Sequence, residues 1–358
     1  MNLKTYLLLT VLGALYLTAA AQPITDHQAL ETAHRLETAT NNGDFYSLSQ
    51  FMCGDSMLAN IRQKSQALKD PDHFASFRSG FMPGFSTGAF GKQVLTNIRN
   101  GNYRLLREYD SAGTKHLLFR LFGDGGLNYQ DFILVRANDS IKASDVYTYS
   151  MDDWTSDELA RLADIILQSS NANDDVQVIK NITDEAKKQD YAGVRASYEQ
   201  LDKKYQHNRY VLKLYILACH HLDLGLYEKA LIEYSTDYPE ATSGYLSMLD
   251  LYYMQKQYDK ALDVIDKLDK LVGGDPFLNY FRGNLYSLMD KKPESLACYE
   301  KVYRYDPSIK VNAIKLASLY AAAHQNDKAQ TVITGYMKTS AYHPGDLNAL
   351  YDQYPELR

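Results

Sequence analysis

The chain has 358 residues, 45% hydrophobic and 23% charged, with a formal net charge of −6 and 30 tyrosines against one tryptophan. Such a length fits about two units of roughly 150 residues each, and the composition suits a protein that buries a core. The mild acidity, without any clustered Lys/Arg run, excludes the electrostatic footprint of a nucleic-acid binder. Three scattered cysteines, Cys53, Cys219 and Cys298, are no disulfide framework.

The first residues combine a positive start at Lys4, a short apolar run over 6–17 and the small residues Ala19-Ala20-Ala21. This is the layout of a secretory signal peptide cleaved after Ala21. The run is shorter than the ~20 apolar residues of a spanning helix. The expected location is therefore periplasmic or extracellular, with no transmembrane anchor after cleavage.

Residues 26–97 read as helices, broken at the turn Asn41-Asn42-Gly43-Asp44 and at the irregular stretch from Ser79 to Gly84, with helix returning over 88–97. Four short runs rich in aromatic and aliphatic residues follow, over 103–109, 115–122, 129–136 and 141–149. Turn clusters separate them: Asp110-Ser111-Ala112-Gly113, Gly123-Asp124-Gly125-Gly126 and Ala137-Asn138-Asp139-Ser140. This spacing predicts antiparallel hairpins in a four-stranded sheet. In the second run Leu117, Phe119 and Leu121 share one face while His116 and Arg120 take the other, as a half-buried strand requires. Helices followed by such a sheet make an α+β layer. Thr155-Ser156-Asp157-Glu158 then reads as a capping box before a helix with Leu159, Leu162, Ile165 and Ile166 on its apolar stripe. The polar stretch 169–175 is a junction.

In the second half, the small residues Ala230, Ala261, Ser295 and Ala329 recur at intervals of 31, 34 and 34. A fixed period of this size predicts stacked helical hairpins. Small residues let two antiparallel helices approach closely, and large ones fill the groove to the next hairpin. The expected organisation is a signal peptide over 1–21, an α+β domain over 22–152, and a linker helix and junction over 153–173. An all-α solenoid of about five hairpins over 174–340 and a C-terminal tail over 341–358 complete it.

Around each small residue the surroundings repeat: Leu217, Ala218, Gly225, Tyr227, Tyr234; Leu249, Tyr252, Tyr258, Ile265, Leu268; Gly283, Tyr286, Tyr299, Val302, Asp306-Pro307; Leu316, Ala317, Tyr320, Ile333, Tyr336. These resemble the tetratricopeptide repeat of exported bacterial proteins. The pattern departs at His221, Lys292 and Asn326, where the family keeps an aromatic residue. The helices and meander of 26–150 are similar in element order to the nuclear-transport-factor-2-like (cystatin-like) cone, without a diagnostic motif. The repeat resemblance implies a concave groove lined by first helices, which here carries Tyr215, Asp250, Tyr253, Tyr280, Asn284 and Ser318. Of the paired Lys and Asn with which one subgroup captures a peptide carboxylate, only Asn284 is present.

Motifs that would carry chemistry are weak. Gly84-Phe85-Ser86-Thr87-Gly88 spells a hydrolase elbow, which needs a strand leading in, and none is predicted there. Cys219-His220-His221 sit about 100° apart on a helix and cannot converge on one ion. Gly123-Asp124-Gly125-Gly126 lacks the Lys-Ser/Thr of a phosphate loop. What remains is His116, Arg120, Asp131 and Asp145 on the sheet, which would line a pocket if the cone is hollow. The expectation is a non-enzymatic scaffold, with no cofactor or metal, binding a peptide or envelope protein through the groove. The alternative is a small-molecule-binding or enzymatic cone that the repeats only position.

Overall fold

The computed structural model describes residues 23–168, 174–239 and 244–358. The expected signal peptide, residues 1–21, and most of the junction lie outside the described residues. Among the described residues six helices come first: α1 (Asp26–Asn41), α2 (Phe45–Phe51), α3 (Gly54–Lys64), α4 (Pro71–Phe81), α5 (Pro83–Ser86) and α6 (Ala89–Asn97). Their starts are local chemistry. Thr25 and Gln28 form a reciprocal capping box on α1, Asp44 caps α2, and Asp70 caps α4 with Pro71 in its first turn. The hydrolase-like motif falls on α5 and the turn after it, with helix α4 rather than a strand leading in. Helix α6 lies so close to α2 that a Cβ on Gly91 would sit 1.9 Å from the Phe45 carbonyl oxygen.

The sheet is an antiparallel meander in the order β1-β2-β3-β4-β5. Strands β1 (Asn102–Ser111), β2 (Thr114–Gly123), β3 (Gly126–Ala137) and β4 (Ser140–Thr148) match the four predicted runs. A fifth, the two-residue β5 (Asp153–Trp154), pairs Trp154 with Tyr147, so the sheet has five strands where four were expected. Ala112 and Gly113 both take positive φ at the β1–β2 turn, the left-handed pair that suits a tight hairpin.

On one face, Leu117, Phe119, Leu121 and Phe132 pack with Ala33, Leu48, Phe51 and Ile61 of the helical layer, and with Ala160 and Ala163 of α7 (Thr155–Gln168). A buried acid from the sheet meets the start of α7, where the sequence predicts a capping box. Asp145 of β4 accepts from the Ser156 amide and hydroxyl, while the Thr155 hydroxyl donates to the Val146 carbonyl at 3.2 Å.

Five helical hairpins follow among the described residues: α8 (Asp174–Lys187) with α9 (Tyr191–Gln200), α11 (Arg209–Leu222) with α12 (Leu224–Asp237), α13 (Gly244–Met254) with α14 (Tyr258–Leu271), α15 (Leu278–Leu288) with α16 (Lys292–Tyr305), and α17 (Lys310–Ala322) with α18 (Asn326–Met337). The short α10 (Lys203–Gln206) precedes α11, and α19 (Asn348–Gln353) follows the last hairpin. The periodic small residues are buried at the hairpin crossings. Ser295 donates to the Gly283 carbonyl at 2.8 Å, and a Cβ on Gly283 would lie 2.9 Å from the Tyr299 ring. Four of the five hairpin turns hold a non-glycine residue at positive φ: Gln189, Lys256, Asp290 and His324. Each stands five residues before the small-residue position of its second helix, taken in the first hairpin by Val194. After the last hairpin, Leu347, Leu350 and Leu357 seal its exposed face.

The sheet's second face is covered as well. Leu118, Tyr129 and Tyr149 pack with Leu249, Val264, Ile265, Leu268 and Val272, and Phe122 packs on Phe277 and Phe281. The strand that read as half-buried is therefore buried on both sides. The contacting residues lie along α14, just before and within α15, and at Leu249 of α13.

Candidate functional site

The four polar residues predicted on the sheet fall into three separate groups. His116 and Asp131 meet: Nδ1 is 3.1 Å from Oδ1. The Tyr109 hydroxyl donates to the other Asp131 oxygen, and burial together with that carboxylate raises the Tyr109 pKa. Thr114 Oγ1 lies 2.9 Å from His116 Nε2, so Thr114, His116 and Asp131 stand in the order of a hydrolase triad. The Thr114 hydroxyl, however, donates to the Ser111 carbonyl at 2.8 Å. The Tyr109 ring lies 4.9 Å from the imidazole, with Trp154 beyond at 6.3 Å. The row closes the end of a hairpin and leaves no committed nucleophile.

Arg120 belongs to the contact between the sheet and the helical array. Its side chain is 0% exposed, as is that of Asp275, and the two pair at 2.7 Å. The guanidinium also lies 4.4 Å from the centre of the Phe277 ring. Asp275 accepts from the Tyr129 hydroxyl and the Phe277 amide, both at 3.0 Å. Asp145 forms the third group, with Ser156 and, at 3.9 Å, Lys64. Burial raises its pKa against the opposing pull of those bonds. Each charge is matched to a packing partner. The sequence suggested that these residues share a wall; only His116 and Asp131 do.

The groove residues also divide. Asp250, Tyr253 and Asn284 line a cleft of about 460 Å³ across the first helices α13, α15 and α17, a size typical of ligand clefts. Leu249, Phe281 and Leu285 supply apolar wall, Leu288 joins Tyr253 as an exposed side chain, and Lys315 brings a cation. Asp250 accepts from the Tyr227 hydroxyl at 2.9 Å. The Tyr299 hydroxyl donates to Asn284 Oδ1 at 2.6 Å, which fixes the amide. The other three predicted residues lie elsewhere. Tyr215 is stacked on Tyr198 with ring centres 3.9 Å apart. Tyr280 packs against Phe277 and Phe122 at the sheet contact. Ser318 is half-buried on α17. Sequence reasoning missed Phe281, Leu288 and Lys315, which are one or a few positions from the residues it chose.

The remaining polar features are structural or open. Cys219 is buried, while His221 stacks on Tyr191 and His220 meets the Tyr227 ring edge-on. Asp26, Glu108 and Asp110 enclose the Lys115 ammonium, at 2.6, 2.6 and 2.9 Å. His207, Glu233 and Asp237 form a second group of ligand-type atoms within 4.8 Å of one another. At the junction of the two halves, the Lys213 ammonium donates to the Ser150 carbonyl. Burial brings Lys213 down to about 7 and, across the same junction, pushes Glu158 up to about 7.

No described helix is long and apolar enough to cross a membrane. No family model and no curated protein matches the chain. Among solved structures, that of the MamA protein aligns with 15% identity and a TM-score of 0.38, covering 49% of this chain and 93% of that one. Alignment at that level is too loose to carry a property from one protein to the other, so the cleft must be read from its own residues.

Proposed function

We propose that this is an exported, non-enzymatic interaction protein of the tetratricopeptide type, which seats a peptide segment of another protein in the cleft across α13, α15 and α17. The cystatin-like layer braces the array and has no catalytic role. One observation carries this reading: an apolar-walled cleft of about 460 Å³ with Tyr253 and Leu288, 52% and 48% exposed, standing free beside it. Exposed aromatic and aliphatic side chains next to a concavity are the anchors from which peptide affinity is built. Asp250 and Asn284 are held by tyrosine hydroxyls, so they present fixed polar groups to a peptide backbone. Lys315 favours a ligand that carries a carboxylate.

Selection of displayed random peptides on the full mature chain, followed by fluorescence anisotropy, tests the reading. Selected peptides should share an apolar residue near an acidic one. Binding should weaken about tenfold in Tyr253→Ala and fall again when Lys315→Glu reverses the cation. Peptides that bind both variants as tightly as the parent, or a selection that enriches nothing, would sink it. Export is tested separately: expression with residues 1–21 intact should yield a processed chain outside the cytoplasm.

A further inference from the structure

We infer that His207, Glu233 and Asp237 form a binding site for a divalent transition-metal ion, for which Zn²⁺ is the probe. This goes beyond peptide binding and involves a different face of the array. Glu233 and Asp237 lie one turn apart on α12, so their carboxylates stack on one side of the helix. His207 comes from the turn between α10 and α11 and brings its Nδ1 to 2.5 Å from Asp237 and 3.9 Å from Glu233. The three ligand atoms all lie within 4.8 Å of one another. Zinc bonds of about 2.0–2.1 Å in a tetrahedral site place ligand atoms about 3.3 Å apart. The His–Asp contact must open by about 0.8 Å and the His–Glu contact close by about 0.6 Å, changes within reach of side-chain rotation.

Two further observations favour an ion. Like charges spaced i,i+4 on a helix repel, and among the described residues His207 is the only cationic group within 4.0 Å of either carboxylate. The other acidic group of this protein, Asp26, Glu108 and Asp110, has its charge answered by Lys115; this one has no lysine at its centre. The histidine-bearing turn is also tied down. Tyr238, which follows Asp237, donates its hydroxyl to the His207 carbonyl, and the Arg209 guanidinium lies 4.6 Å from the Tyr238 ring centre. One imidazole with two carboxylates suits a transition ion better than Mg²⁺ or Ca²⁺, which prefer all-oxygen shells. Three protein ligands leave a position for water or for a group from another molecule. An occupied site would clasp the α10–α11 turn to the end of α12.

The test is a competition titration of the full chain, freed of metal by a chelator, against a chromophoric zinc indicator in 150 mM salt. The expected result is one Zn²⁺ per chain at micromolar concentration, at least tenfold weaker in His207→Ala and weakened in Glu233→Gln. His343→Ala, at the far end of the array, should leave binding unchanged, and millimolar Mg²⁺ should not displace the zinc. All three positions are at the surface, and circular dichroism verifies that the variants stay folded. Equal zinc binding by the parent chain and His207→Ala, no uptake at tens of micromolar, or displacement by Mg²⁺ would each overturn the assignment.

Discussion

Replacing Asp275 by Asn tests how firmly the sheet is joined to the helical array. The Arg120–Asp275 pair has no solvent exposure and spans the contact at 2.7 Å. Asn keeps the shape and one acceptor, so it can still receive the Tyr129 hydroxyl or the Phe277 amide, but the guanidinium is left buried without a counter-charge. Breaking a buried pair from one side costs about 3–5 kcal/mol; with one hydrogen bond retained, about 3–4 kcal/mol is expected. At about 2 °C per kcal/mol for a large domain, the melting temperature should fall by about 6–8 °C. Arg120→Met in the same chain removes the orphaned charge and should recover about 2 kcal/mol, because an apolar replacement of a buried pair is often nearly neutral. The assay reads two probes at once: helical ellipticity for the array, and fluorescence of Trp154, which sits on β5. Both should melt together and shift together. A loss below 1 kcal/mol for Asp275→Asn, or a double variant whose cost equals the sum of the singles, would refute the reasoning.

Two other stability effects follow from the same structure. Glu158, raised to about 7, should make stability fall as pH rises from about 4.5 to 7, since the folded state holds a proton that the unfolded chain releases. Lys213, lowered to about 7, should make stability rise from pH 7 to about 10, since there the unfolded chain holds the extra proton. Denaturant titrations across pH should therefore dip near neutrality, and Glu158→Gln should abolish the acid-side limb and stabilise by about 2 kcal/mol at pH 8; a flat profile in the parent chain argues against it. His324, at φ 56 in the last hairpin turn, should give about 0.5–1 kcal/mol of added stability on replacement by Gly, measured by thermal melts.

What could be read from the sequence was whatever a short range decides. Leu117, Phe119 and Leu121 fall at every second position, so β2 and its inner face were legible. The outer face was not: His116 and Arg120 looked solvated because their partners were invisible, Asp275 standing 155 residues away from Arg120. The hairpins were legible because Ala230, Ala261, Ser295 and Ala329 mark close helix crossings. Their left-handed turns were not, since Gln189, Lys256, Asp290 and His324 share no residue type. At Thr155–Glu158 the sequence showed a local cap but not the Asp145 carboxylate that the sheet brings to Ser156. In the groove, helical spacing gave the face of α13 but not the sheet contact that absorbs Tyr280. His207 lies 26 and 30 residues from Glu233 and Asp237, and no spacing rule joins them.

A stack of hairpins ordinarily behaves as a soft spring, because each unit touches only its neighbours. Here the sheet lies along two successive units, α13–α14 and α15–α16, as a splint. Leu249 and Leu285 pack in the same cluster as Leu118 and Tyr129 of the sheet, and they also line the cleft. The spring cannot stretch there without tearing that cluster, so the sheet holds the spacing between α13 and α15. On the function proposed above, the cleft would select by shape rather than by bending, and binding would carry little of the entropy cost that flexible repeats incur on closing.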